Sequence, residues 1–189
     1  MALDSEAVPK SLISKISEIV GVQAKAPELI SVVLNFKQPA LLTQERIRTA
    51  IGLAWGRDVR EDLNEHVVNG PPICFVKIYE MVLLLTNSDK PCCPAEYLEQ
   101  ALAQFPDERQ KKVAREHNAF LTIDLLNPKN PREGTKLECY RRMAHLASQF
   151  VDDNCLGVYI PETGHMRPYN KDVIKALRSE RPLREIEKW

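Results

Sequence analysis

Apolar residues along this chain recur with two periods, and each switch of period marks an element. Leu29-Ile30-Ser31-Val32-Val33-Leu34-Asn35-Phe36 is a short β-branched run closed by Lys37-Gln38-Pro39, which reads as a strand. From Thr43 to Trp55 the spacing becomes helical, with Ile47, Ala50, Ile51 and Ala54 on one stripe, Thr43 as N-cap and Gly56 just past the end. Arg57 to Asn69 is polar, with a short strand or turn near His66-Val67-Val68, and Asn69-Gly70-Pro71-Pro72 is a turn signal. Ile73 to Tyr79 and Met81 to Thr86 read either as one long strand or as two with a reversal at Tyr79-Glu80-Met81. After the loop at 87–91, Pro94 opens a helix with Tyr97, Leu98, Ala101, Leu102 and Phe105 on one face.

The second half follows a similar order. Pro106 to His117 is charged and reads as a solvated helix or as an exposed strand leading into Ala119 to Leu126, which alternates as a strand does. Asn127 to Gly134 has loop composition. A helix from Lys136 to Phe150 carries Leu137, Tyr140, Met143, Ala144, Ala147 and Phe150, and Cys155 to Ile160 forms the next strand. Pro161-Glu162-Thr163-Gly164 is a turn, and a last helix turns Val173, Ile174 and Leu177 inward.

These patterns predict an α+β fold. Two similar strand–helix–strand–helix halves, about 29–105 and 117–178, form a mixed or antiparallel sheet with helices packed on one face. The alternative is a parallel sheet with helical crossovers. The tight reversals at Tyr79-Glu80-Met81 and Thr163-Gly164-His165 favour the α+β reading. Residues 1–24 are an N-terminal amphipathic helix and connector, with Leu12, Ile13, Ile16, Ile19 and Val20 on the apolar stripe. Residues 25–178 form a single domain, and 179–189 a charged C-terminal tail.

Composition narrows the function classes. The 26 basic and 26 acidic side chains cancel, which argues against a protein that works by neutralising phosphate backbones. Met81 to Leu85 is the longest apolar run, far short of a bilayer, and no basic region followed by an apolar run marks a signal sequence. The expectation is therefore no nucleic-acid or membrane partner and a cytoplasmic location. The five cysteines form no even framework and no C-x-x-C pair, so they read as reduced thiols, with the adjacent Cys92-Cys93 as the unusual pair. Phosphate-binding glycine loops and the G-x-S-x-G elbow are missing. No cofactor or metal is expected.

Four residues carry candidate chemistry: His117, Tyr159, Glu162 and His165. His117 stands just before a strand and reads first as a histidine hydrogen-bonded to backbone. Asp124, an odd number of residues on, falls on the opposite face of that strand. Glu162 and His165 are three apart, a metal-ligand spacing on a helix, but Pro161 and Gly164 make the segment a turn. Tyr159, Tyr169, Arg167 and His165 cluster at a strand end, where loops held by a sheet often carry sites, and the loop Asn87 to Cys93 is the matching place in the first half.

His117-Asn118-Ala119-Phe120-Leu121-Thr122-Ile123-Asp124, then Leu146-Ala147-Ser148-Gln149-Phe150, then Leu156-Gly157-Val158-Tyr159, resemble an uncharacterised bacterial domain family of unknown function. The resemblance spans about 29–178 and rests mainly on 117–160. It implies a bacterial cytoplasmic protein and brings no activity or site residues with it. The functional expectation is a non-catalytic protein-interaction or regulatory domain, with a protein partner or a second copy as its target. The alternative is a small enzyme or small-ligand-binding protein with a site near His117, Tyr159, Glu162 and His165.

Overall fold

The computed structural model describes residues 30–60, 65–126 and 133–188, so the predicted helix at 9–20 lies outside the described residues. The fold is α+β. Its elements run β1 (Ser31–Phe36), α1 (Gln44–Trp55), β2 (Glu65–Gly70), β3 (Ile73–Ile78), β4 (Met81–Ser88), a 3-10 turn (Ala95–Tyr97), α2 (Leu98–Leu102), α3 (Glu108–Glu116), β5 (Ala119–Leu125), α4 (Glu133–Ser148), β6 (Cys155–Ile160), β7 (His165–Pro168), α5 (Val173–Leu177) and α6 (Pro182–Glu187). The seven strands form one sheet in the order β2-β3-β4-β5-β1-β6-β7, with every neighbouring pair antiparallel. The crossover alternative is thereby excluded.

β1 and β5 form the centre. Val32, Leu34 and Phe36 lie opposite Ile123, Leu121 and Ala119, so alternation places all six on one face. On that face α1 and α4 close the main core, with Ile47, Ile51, Tyr140, Met143 and Phe150 fully buried. Thr43 caps α1 by accepting from the Arg46 N–H at 3.1 Å, and Gly56 ends the helix in a left-handed conformation at φ 71°.

The sequence pattern predicts helices on one face, and the structure places them on both. α3 crosses to the other side and packs on β6 and β7, with Val113, Ala114, Leu102, Phe105 and Met166 as a second, smaller core. The stretch 106–117 is polar overall, yet Gln110, Val113, Ala114 and His117 recur at helical spacing, and that narrow stripe is what the helix buries. Asp107 and Gln110 close its N-terminus as a reciprocal capping box. Close approach of α3 to β6 needs Gly157, because a Cβ there would sit 2.9 Å from the Arg167 carbonyl oxygen and 3.2 Å from Val113 Cγ1.

The halves are also unequal. The first contributes three strands after its helix, β2 to β4, and the second only two, β6 and β7. Each set pairs with the leading strand of the other half, β4 with β5 and β6 with β1. The Tyr79–Glu80 reversal separates β3 from β4. Tyr79 takes a positive φ of 50°, and the Arg57 guanidinium lies 4.4 Å from its ring centroid. Within the stretch read as a charged tail, α6 buries Pro182 and Ile186, and Arg167 Nη1 donates to the Glu185 carbonyl at 2.7 Å.

Two substitutions test this packing. Leu121→Ala, fully buried between β1 and β4, is expected to lower unfolding free energy by about 2–5 kcal/mol. Gly157→Ala is expected to cost about 1–3 kcal/mol, because backbone and not a flexible side chain stands in the way. Chemical denaturation of both variants measures these losses.

Candidate functional site

The four candidate residues divide between the two sides of the sheet. Glu162 turns toward α4, where it is paired with Lys136 and accepts from the buried Tyr140 hydroxyl at 2.5 Å. These residues line a cleft of about 660 Å³ with Arg181 and Arg184. His165 is exposed on the β6–β7 turn, with Nδ1 3.4 Å from the Thr163 carbonyl. His117 and Tyr159 lie on the opposite side, beneath α2 and α3. Tyr159 is half-buried and meets Phe105 edge-to-face with ring centroids 6.1 Å apart. A second cleft, of about 610 Å³, lies along α3 beside Lys37, Arg109 and Lys112; neither cleft is lined by Cys92, His117 or His165.

His117 is the most constrained of the four. It caps the C-terminus of α3, is 3% exposed, and its Nδ1 lies 3.1 Å from the Val113 carbonyl oxygen. Its Nε2 lies 3.0 Å from the Cys92 backbone N–H and 3.1 Å from Cys92 Sγ. A carbonyl only accepts and an amide N–H only donates, so these contacts fix the tautomer: Nδ1 carries the proton and Nε2 offers its lone pair. Burial lowers the His117 pKa from its usual value, and the Val113 and Ala114 carbonyls offset that only in part. The backbone-bonded histidine predicted from the sequence is what forms here, but it also holds the loop that carries the two adjacent cysteines.

Around that contact lie Asn35 and Met166. Asn35 is fully buried on β1, with Nδ2 3.5 Å from Met166 Sδ and Oδ1 3.9 Å from Cys92 Sγ. The Cys92 thiol is pushed up by its own burial and then by Cys93 beside it. Burial also raises Tyr159. Asp124, on this same face, accepts from Ser31 and, at 2.8 Å, from Thr122, and does not meet His117. Asn35 is not marked by the sequence pattern, and Cys92 is marked only as half of the unusual Cys-Cys pair on its loop. The usable signal was helical spacing that puts His117 on the buried stripe of α3, beside an unusual Cys-Cys pair.

Farther along the same side, no helix among the described residues lies over the sheet. Val68, Phe75 and Leu84 form a row across β2, β3 and β4, continued by Asp124 and Ser31 on β5 and β1. Val68 is 58% exposed, Phe75 45% and Ile73 40%, with Val82 and Leu84 half-buried beside them.

No protein-family model, curated protein sequence or solved structure matches this chain. Among the described residues, no helix is long and apolar enough to cross a membrane, and no group of three His, Cys, Asp or Glu side chains is arranged to hold a metal ion.

The depressed His117 pKa has a consequence for stability. The unfolded chain takes up this proton near pH 6.5, before the folded chain does. Stability is therefore level above that pH and falls as pH drops from there toward the folded-state pKa. His145, also lowered chiefly by burial, adds a loss of the same sign. Urea unfolding between pH 7.5 and 5 is expected to show the decline, and His117→Gln to make it shallower without removing it.

Proposed function

We propose that this protein is a non-catalytic protein-interaction domain whose binding surface is the open half of the sheet, and that its occupant is an amphipathic helix presented by another protein. The supporting observation is the exposed apolar row Val68–Phe75–Leu84, with Ile73 and Val82 flanking it. Three strands at about 4.8 Å spacing give a strip roughly 10 Å wide, the diameter of one helix. The exposed apolar area is roughly 300 Å², a size at which the largest patch of a monomer is often functional. It falls well short of the ~800 Å² per partner that a stable dimer buries, so one helix suits it better than a second sheet.

The enzyme alternative loses its common pocket, because His117 and Tyr159 lie on one side while Glu162 faces α4 and His165 is exposed on a turn. The setting that fits is the cytoplasm. The described cysteines are all free thiols, as a reducing compartment maintains them.

A labelled peptide of residues 9–22 has the required chemistry, with Leu12, Ile13, Ile16, Ile19 and Val20 on one stripe. Fluorescence anisotropy with the full chain is expected to give saturable binding, weakened about tenfold or more by Phe75→Asp. Binding that Phe75→Asp leaves unchanged, or no binding, overturns the proposal. So does binding seen only after residues 1–22 are deleted, since the chain's own segment then holds the face. A dimer in sedimentation that Phe75→Asp dissolves overturns it as well, because the faces then pair with each other.

A further inference from the structure

We infer that Cys92 is a thiol-exchange site, forming a mixed disulfide with small soluble disulfides while His117 takes up and returns the thiol proton. This inference is independent of the open sheet face and of any protein partner.

Three observations carry it. First, Cys92 is exposed as a residue while its sulfur is part-buried against His117 and Asn35, whereas Cys74, Cys139 and Cys155 are buried residues. Secondly, its sulfur lies 3.1 Å from His117 Nε2, and the Val113 carbonyl at Nδ1 makes Nε2 the unprotonated nitrogen. A nucleophile within hydrogen-bond reach of a base, with that base oriented by a third group, is the arrangement nucleophilic chemistry requires. Thirdly, the neighbouring thiol is placed differently: Cys93 Sγ turns to the Pro94 carbonyl at 3.5 Å. The sequence alone makes the two cysteines equivalent, and the fold gives only one of them a base.

The surroundings decide how the pair works. The titratable groups that act on Cys92 and His117 are the Cys93 thiol on the same loop and Tyr159 on β6. β1 and β7 contribute the neutral Asn35 and Met166, and α3 the Val113 and Ala114 carbonyls. With burial raising the thiol and lowering the imidazole, the resting pair is neutral thiol and neutral imidazole, not an ion pair. Proton transfer then accompanies attack. The Cys92 N–H gives up its bond to Nε2, the Cys92 thiol proton moves there as sulfur attacks the disulfide, a new S–S bond forms and the old one breaks. The electron pair leaves on the outgoing sulfur, which takes the proton back from Nε2. The products are the Cys92 mixed disulfide and one released thiol, with no net oxidant consumed beyond the disulfide itself.

The test uses oxidised glutathione with the full chain carrying Cys93→Ser, following modification by peptide mass mapping from pH 5 to 9. Cys92 is expected to react first. Its rate should fall only at the acid end, below the usual histidine range, where the buried His117 protonates, and it should be nearly level between pH 7 and 8.5. A simple thiol of pKa about 8.5 would instead gain close to tenfold per pH unit over most of that range. His117→Gln, which keeps an acceptor for the Cys92 N–H, is expected to slow exchange at pH 7 by at least about tenfold and to restore the simple-thiol profile. Cys92 reacting no faster than the three buried thiols overturns the inference. A simple-thiol profile with His117 intact overturns it too, and that result needs no histidine variant to fold.

Discussion

The antiparallel pairing of β1 with β5 is the constraint on which the other features depend. Every residue of β1 is buried, including Ser31, Val33 and Asn35, whose side chains face away from the main core. A strand buried on both faces requires a layer on each side of the sheet. α1 and α4 supply one layer across the central strands. Among the described residues, α2 and α3 supply the other over β6, β7 and the adjoining part of β1 alone, since α3 is a single nine-residue helix. The open half of the sheet and the cysteine loop both follow from that partial cover. Val68 and Phe75 remain exposed where it stops, and Cys92 sits at its margin.

Polar groups pin this second layer in place. Gln110 Nε2 donates to the Met166 carbonyl at 2.7 Å, His117 bridges the Val113 carbonyl and the Cys92 N–H, and Arg167 reaches the Glu185 carbonyl. The Gln110 and Cys92 bonds join α3 to β7 and to the cysteine loop, and the Arg167 bond ties β7 to α6. A small apolar cluster sets little orientation by itself, whereas a buried polar group left without its partner loses about 1–3 kcal/mol. Elsewhere in the molecule, the buried Glu65 is held by the Arg57 fork, whose guanidinium also covers the Tyr79 turn. That pairing holds the Glu65 carboxyl below the usual carboxylate range.

Much of the fold was legible in the sequence because its strands and long helices bury one face each, and such elements print their period on the chain. The strands at 31–36, 119–125 and 155–160 and the helices at 44–55 and 133–148 fall close to where apolar spacing puts them. Thr43 and Gly56 mark the ends of one helix by local chemistry alone. α3 was ambiguous because a helix that buries only Gln110, Val113 and Ala114 carries too few apolar residues to announce itself. α6 was missed for the same reason, with Pro182 and Ile186 its only buried side chains.

What the sequence determined by itself was the class of fold, the central strands and long helices, and the absence of familiar catalytic signatures, since all of these depend on local spacing. It also singled out His117 and Tyr159, though not what surrounds them. The tertiary structure decided which residues meet. His117 reaches Cys92 across 25 positions of chain, Asn35 reaches Met166 across 131, and Glu162 is drawn away to Lys136 and Tyr140. Those contacts depend on strand order, on the face each strand turns to α3, and on how far the second layer extends. None of these is fixed by the periodicity of any one segment.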